Sequence, residues 1–275
     1  ALAKSLTVKG YLVEIISFSL QYPKFLFPGK SQNRVEQTEN FKFKISPLIN
    51  SINPISWWRT AKYIKGKNPN KVFIRFWMPF FAPCLGVIGG YLKKNKIPVY
   101  GIIDNAVAHE KRLGDAILVN YFLNKCKSHF TLSEKVKQDI YKINNSVSVE
   151  SLFHPIYNTY SKITDKDSAL KRLNLKEGKY ILFFGLIRKY KGLDLAIKAM
   201  SNKSIIKKNI KLIIAGEFYD SEEKYQNLIR DLNLKNIIIY NQFIENKQVP
   251  DFFSVSNLVI LPYTSATQSG VTQLA

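Results

Sequence analysis

Short apolar runs alternate with longer helical patterns from one end of this 275-residue chain to the other. Few folds can use such a pattern. The runs fall at 11–18, 71–76, 97–103, 127–131 and 147–152, then at 180–184, 210–215, 236–240 and 257–261. Strands this short, separated by helical stretches, build parallel sheets whose crossovers lay helices on both faces. The length suffices for two domains. The polar segment from Asn158 to Asn174, following Pro155, is where one should hand over to the next, giving residues 1–157 and 158–275.

Phe76 to Leu92 approaches the length of a membrane span. Pro79 and Pro83, with Arg75, Lys93 and Lys94 alongside, favour a strand end, a loop and a buried helix with a proline near its first turn. A membrane-docking surface is the alternative. At 46% hydrophobic and 22% charged, the composition is globular. Cys84 and Cys126 lack CxxC or His spacing, so both read as reduced thiols and no metal site is implied.

Forty-one Lys and Arg against 20 Asp and Glu give a formal charge of +21. Two accounts of it stand open: AT-rich coding, which favours Lys, Asn and Ile together, and attraction to an anionic membrane surface. Nucleic acid is the weaker third, because the chain shows no zinc finger, RNP signature or base-reading basic helix.

The chemistry concentrates near the middle. Tyr180 to Phe184 runs into Gly185-Leu186-Ile187-Arg188-Lys189-Tyr190-Lys191-Gly192. An apolar run, a glycine turn, several cations and then a helical pattern is a strand feeding a helix, which aims N–H groups and cations at one point. An anion, a diphosphate before any other, belongs there.

The same stretch resembles the C-terminal domain of GT-B glycosyltransferases of the retaining family GT4. The resemblance continues through Ile210 to Glu217, Asn236 to Tyr240, Val249 to Tyr263, and Ala266 to Gly270, in the family's order and spacing. It implies two Rossmann-like domains with parallel sheets and a cleft between them, the acceptor side first and the nucleotide-sugar side second. It also implies that both ends of the chain are incomplete: a first strand with a Gly-rich loop before residue 1, and further strands and a crossover helix after Ala275. The loop Gln21 to Lys30, aromatic, basic and proline-rich, would overhang the cleft.

On this resemblance Gly185, Arg188 and Lys191 bind the donor phosphates, with Ser269, Gly270 and Val271 opposite them. Arg188 departs from the pattern, since most members carry arginine directly after the glycine, where this chain has Leu186; either it reaches the same phosphate from two positions later or it contacts another group. The family's Glu-x7-Glu pair is also missing, and Gln268 stands in its region. Glu217, Phe243, Ile244 and Gln268 are candidates for the donor sugar or base by position, with Phe218 beside them. In the first domain Asp104-Asn105-Ala106-Val107-Ala108-His109-Glu110 takes the place of His-Asn-x-x-Pro-His-Glu, making Asp104 and His109 the catalytic candidates and Asn105 and Glu110 acceptor-side residues. His154 reads as structural.

The function implied is metal-independent retaining transfer from a nucleotide-diphosphate sugar to a glycan or lipid-linked acceptor, in cell-surface polysaccharide synthesis. No separate cofactor is implied. The location implied is the cytoplasm or the inner face of the cell membrane. A non-catalytic nucleotide-sugar-binding homologue and another GT-B enzyme, such as an epimerase, are the alternatives.

Overall fold

The computed structural model describes residues 2–23, 43–107, 112–153, 164–265 and 269–275. The described chain divides into two compact units, one up to residue 153 and one from 164 onward.

The first unit opens with α1 (Leu2–Val8), which Gly10 ends by taking a φ of 87°. β1 (Glu14–Leu20) then pairs in parallel with β2 (Lys44–Asn50) as a two-stranded sheet. α2 (Pro54–Gly66) starts at Asn53, whose side chain accepts hydrogen bonds from the N–H groups of Ile55 and Ser56. There follow β3 (Val72–Phe76), a 3-10 turn at Pro79–Phe81, α3 (Ala82–Lys94), β4 (Val99–Ile103), α4 (Asp115–Leu123), β5 (Ser128–Thr131), α5 (Glu134–Ile143) and β6 (Val149–Ser151). The sheet runs β3-β4-β5-β6, all parallel. Its core face carries Ile74, Phe76, Val99 and Ile103 against α3 and α4, with Phe76 stacked on Phe122 at 4.4 Å. Phe73, Tyr100 and Phe130 line the other face, with ring centroids 5.4 and 6.1 Å apart along the row. That face is only partly covered.

The second unit comprises α6 (Lys166–Arg172), β7 (Lys179–Phe184), a 3-10 turn at Lys189–Lys191, α7 (Leu193–Ala199), α8 (Lys203–Lys207), β8 (Ile210–Ala215), α9 (Glu222–Asp231), β9 (Ile237–Tyr240), α10 (Val249–Val255), β10 (Leu258–Val259) and a last 3-10 turn at Gly270–Gln273. Its parallel sheet runs β10-β7-β8-β9. Successive residues face opposite ways along a strand, and here both faces are buried. Leu182 and Ile213 pack with Leu170 and Phe252 on the α6 and α10 side, while Phe183, Leu212 and Ile214 pack with Leu193, Ile197 and Tyr225 on the α7 and α9 side. Arg172 on α6 clamps Asp251 on α10 through two hydrogen bonds of 2.8 and 2.6 Å.

Two features differ from the expected pattern, while the apolar stretch from Phe76 folds as its prolines predict. β2 was not expected, because Lys44 and Pro47 interrupt the apolar alternation. Pro47 is tolerated because the register shifts beside it, leaving Leu48 without an opposite residue. β1 begins three residues later than the apolar run, with Tyr11 and Leu12 exposed. The apolar stretch from Phe76 is a strand end, the 3-10 turn and α3 with Pro83 in its first turn. No helix among the described residues is long and apolar enough to cross a membrane.

Candidate functional site

The carboxyl ends of β7, β8 and β10 are drawn together by glycines at positions where a side chain could not fit. Gly216, just after β8, has a φ of 150°, and a Cβ there would stand 2.2 Å from the carbonyl oxygen of Gly185. Gly192 has a φ of 70°, and a Cβ on it would meet the Pro262 carbonyl oxygen at 2.0 Å. The loops are also laced by hydrogen bonds. Gly185 N–H donates to Ala215 O (2.9 Å), Ile187 N–H to Glu217 O (2.9 Å) and Tyr219 N–H to Ile187 O (2.9 Å). Thr264 N–H donates to Tyr190 O (2.9 Å), tying the segment after β10 to the same place.

Lys191 sits on the 3-10 turn between these loops. A Cβ built on Gly185 would lie 3.0 Å from its Nζ and 3.8 Å from Cγ2 of Val271, so glycine at 185 leaves room for the ammonium. Lys191 is only 8% exposed, and no carboxylate pairs with it among the described residues. Burial, with a smaller contribution from the nearby Arg188 charge, pushes its pKa down to about 8. The Tyr263 ring lies 5.7 Å from Nζ. The Tyr263 hydroxyl is 3.3 Å from Ser269 Oγ, which accepts from Val271 N–H (3.3 Å). Arg188 is exposed, with its guanidinium 5.1 Å from the Tyr219 ring.

Gly185, Lys191, Ser269 and Val271 thus meet in one place, with Gly270 opening the 3-10 turn between the last two. Arg188 is near enough for its charge to act on Lys191. Glu217 is buried at the end of β8 and Phe243 is 42% exposed. Ile244 belongs to the core on the α6 and α10 side. His109, Glu110, Gln268 and His154 lie outside the described residues. Tyr190, Tyr219 and Tyr263 went unnoticed in the sequence, where aromatics at strand ends read as core. The signal available was their position, each at or just past a strand end that carries a glycine or proline.

In the first unit Asp104 stands at the carboxyl end of β4. Its N–H donates to Phe76 O (2.8 Å), and its buried carboxylate accepts from Arg75 Nε (2.7 Å). Asn105 follows it directly. The described residues hold no group of three or more His, Cys, Asp or Glu placed for a metal ion.

Residues 165–270 match the family described as Glycosyl transferases group 1. No curated protein sequence matches the chain. Among solved structures, the sucrose-phosphate synthase of Thermosynechococcus elongatus superposes with a TM-score of 0.70 at 12% identity, over 98% of this chain and 70% of that one. HepE of Anabaena, solved with UDP and glucose, gives 0.64 at 11% identity, over 84% of this chain and 63% of its own. WaaG, a glycosyltransferase involved in lipopolysaccharide biosynthesis, gives 0.58 at 15% identity, over 98% and 72%. The chain thus spans less than two thirds of HepE and about seven tenths of the other two. At these identities the structures speak for the fold alone, and the family match is confined to residues 165–270 in the second unit: the chain has the GT-B fold, with a second unit similar to the glycosyl transferases group 1.

Proposed function

We propose that the chain acts in sugar transfer from a nucleotide-diphosphate donor, as a retaining enzyme of the GT4 type without a metal. The observation that carries this reading is the Lys191 ammonium, buried beside Gly185 and without a carboxylate partner among the described residues. A buried cation without a counter-charge is costly, and an incoming diphosphate supplies that charge. In front-face transfer the acceptor oxygen bonds the anomeric carbon on the side from which the diphosphate departs. The bond from that carbon to the phosphate oxygen breaks, and the hydroxyl proton passes to the leaving phosphate. Lys191 and Arg188 stabilise the charge that grows there.

Ser269 and the N–H groups of Gly270 and Val271 are assigned to the phosphates, and Glu217, Phe243 and Gln268 to the sugar or base. Asp104, fixed by Arg75, is assigned to the acceptor hydroxyl together with Asn105, His109 and Glu110. The acceptor is a glycan or lipid-linked glycan of the cell surface.

Titration with UDP, GDP and ADP tests the phosphate site. Lys191→Ala is expected to weaken the preferred diphosphate by about 1.5–3 kcal/mol, the range for a hydrogen bond to a charged group, and to leave nucleoside binding almost unchanged. Equal diphosphate affinity in the variant would sink the assignment. Release of nucleoside diphosphate from a panel of UDP-, GDP- and ADP-sugars tests transfer. Diphosphate binding without turnover on any donor and acceptor would favour a non-catalytic homologue, the reading suggested by the missing Glu-x7-Glu pair.

A further inference from the structure

Two side chains leave the loops after β7 and β8 together. Ile187 and Phe218 stand opposite each other in a short parallel bridge, in which Ile187 N–H donates to Glu217 O (2.9 Å) and Tyr219 N–H to Ile187 O (2.9 Å). Both residues of that pair turn into the core on the α7 and α9 side, Ile187 fully buried and Phe218 packed against it. Side chains alternate along extended backbone, so the next residue on each segment, Arg188 on one and Tyr219 on the other, leaves that core on a shared side. There the Arg188 guanidinium lies 5.1 Å from the centre of the Tyr219 ring, within reach of a cation–π contact. The bridge is itself anchored: Asn241 Oδ1 accepts from Phe218 N–H (3.3 Å), and the Phe218 ring lies 5.8 Å from that of Tyr225.

Arg188 also opens the turn that carries Lys191. Lys191 N–H donates to Arg188 O (2.9 Å), which closes one 3-10 turn, and residues three apart on such a turn come to the same side. Two cations are thus held near each other, and no carboxylate pairs with either among the described residues. Like charges repel, and an exposed arginine without a partner would turn away from the ammonium.

We propose that Tyr219 is a positioning residue for the phosphate site: its ring holds the Arg188 guanidinium beside Lys191 in the unliganded protein, ready for the diphosphate. A long side chain loses rotamer freedom when it is fixed. The ring takes part of that loss before the ligand arrives, so less of it is charged to binding. The inference rests on the reading that this site takes a nucleotide diphosphate, and adds to it a residue that acts through Arg188.

Calorimetric titration of the intact protein with UDP, GDP and ADP supplies the test, with Lys191→Ala in the same series. Tyr219→Leu keeps the backbone bridge and removes the ring; it is expected to weaken the preferred diphosphate about two- to fivefold, the span of a cation–π contact at an exposed site. Tyr219→Phe, which keeps a ring, should retain the affinity. Arg188→Gln should weaken binding about tenfold or more, and Tyr219→Leu added to Arg188→Gln should cost nothing further. That coupling separates positioning from a structural role, which would weaken binding equally with either residue at 188. An unchanged urea midpoint in each variant certifies the fold. Wild-type affinity in Tyr219→Leu, or the same loss in both backgrounds, would overturn the proposal. If Lys191→Ala weakens binding while Tyr219→Leu does not, the diphosphate reading stands and this inference alone fails. No binding of any of the three nucleotides would remove both.

Discussion

An ammonium held away from water destabilises the protein around it until something negative arrives, and Lys191 is in that position. Its pKa of about 8, against an ordinary 10.5, means that the folded protein gives up this proton more readily than the unfolded chain. Between those two values unfolding takes up a proton, so the contribution of Lys191 to stability rises with pH across that window. Diphosphate affinity runs the other way. It should be greatest below pH 8 and decline as the ammonium deprotonates above it, and calorimetric titration from about pH 7 to 9.5 would show the decline; a flat profile would remove Lys191 from the phosphate site. Lys191→Met makes the opposition visible in one molecule. Replacing a buried, unpaired cation by an apolar chain of similar length should stabilise the unliganded protein by about 1–2 kcal/mol, measured by urea unfolding, while diphosphate binding weakens. Arg188, exposed and resting on Tyr219, should show no such trade.

At the level of elements, the site exists because β7, β8 and β10 end in loops that approach backbone to backbone. Gly216→Ala should therefore harm both fold and function. The new Cβ would have to move the Gly185 carbonyl from 2.2 Å away, and a loss of about 2 kcal/mol in stability is expected from overpacking of this kind. Diphosphate affinity should fall with it, because the displaced loop carries the glycine that makes room for Lys191. A variant with wild-type affinity and stability would show that the loops relax freely. The strands and the glycine-to-lysine offset were legible in the sequence because runs such as Ile210 to Ala215 are apolar and end in glycine. The Gly216 to Gly185 approach was not, because it is a tertiary distance between two loops. β2 was hidden by Pro47, whose place depends on a register shift that no local pattern announces. The first sheet was expected to be covered on both faces like the second. Phe73, Tyr100 and Phe130 instead form a partly open aromatic row, since alternation of apolar residues along a strand does not state what packs against them.

For the whole molecule, two units with separate cores mean that ligand effects should be local. A diphosphate at about 100 times its Kd would stabilise the unit that binds it by about 2.7 kcal/mol. Slower amide exchange is then expected at Phe183 and Ile214, with little change at Ile103. Uniform slowing would show that the two units unfold together. The two thiols offer a further handle. Cys84 and Cys126 are the chain's full complement, both buried, each with its pKa pushed by burial up to about 12. As the thiolate is the reactive form, the native protein should react negligibly with a disulfide reagent at neutral pH and expose two thiols once urea unfolds it; prompt reaction of the native protein would contradict the burial. The natural sequence is thus already a silent background for labelling. A cysteine placed on the surface of each unit would be the only pair to take fluorophores, and energy transfer between the two dyes would report in solution whether a nucleotide sugar changes the spacing of the units.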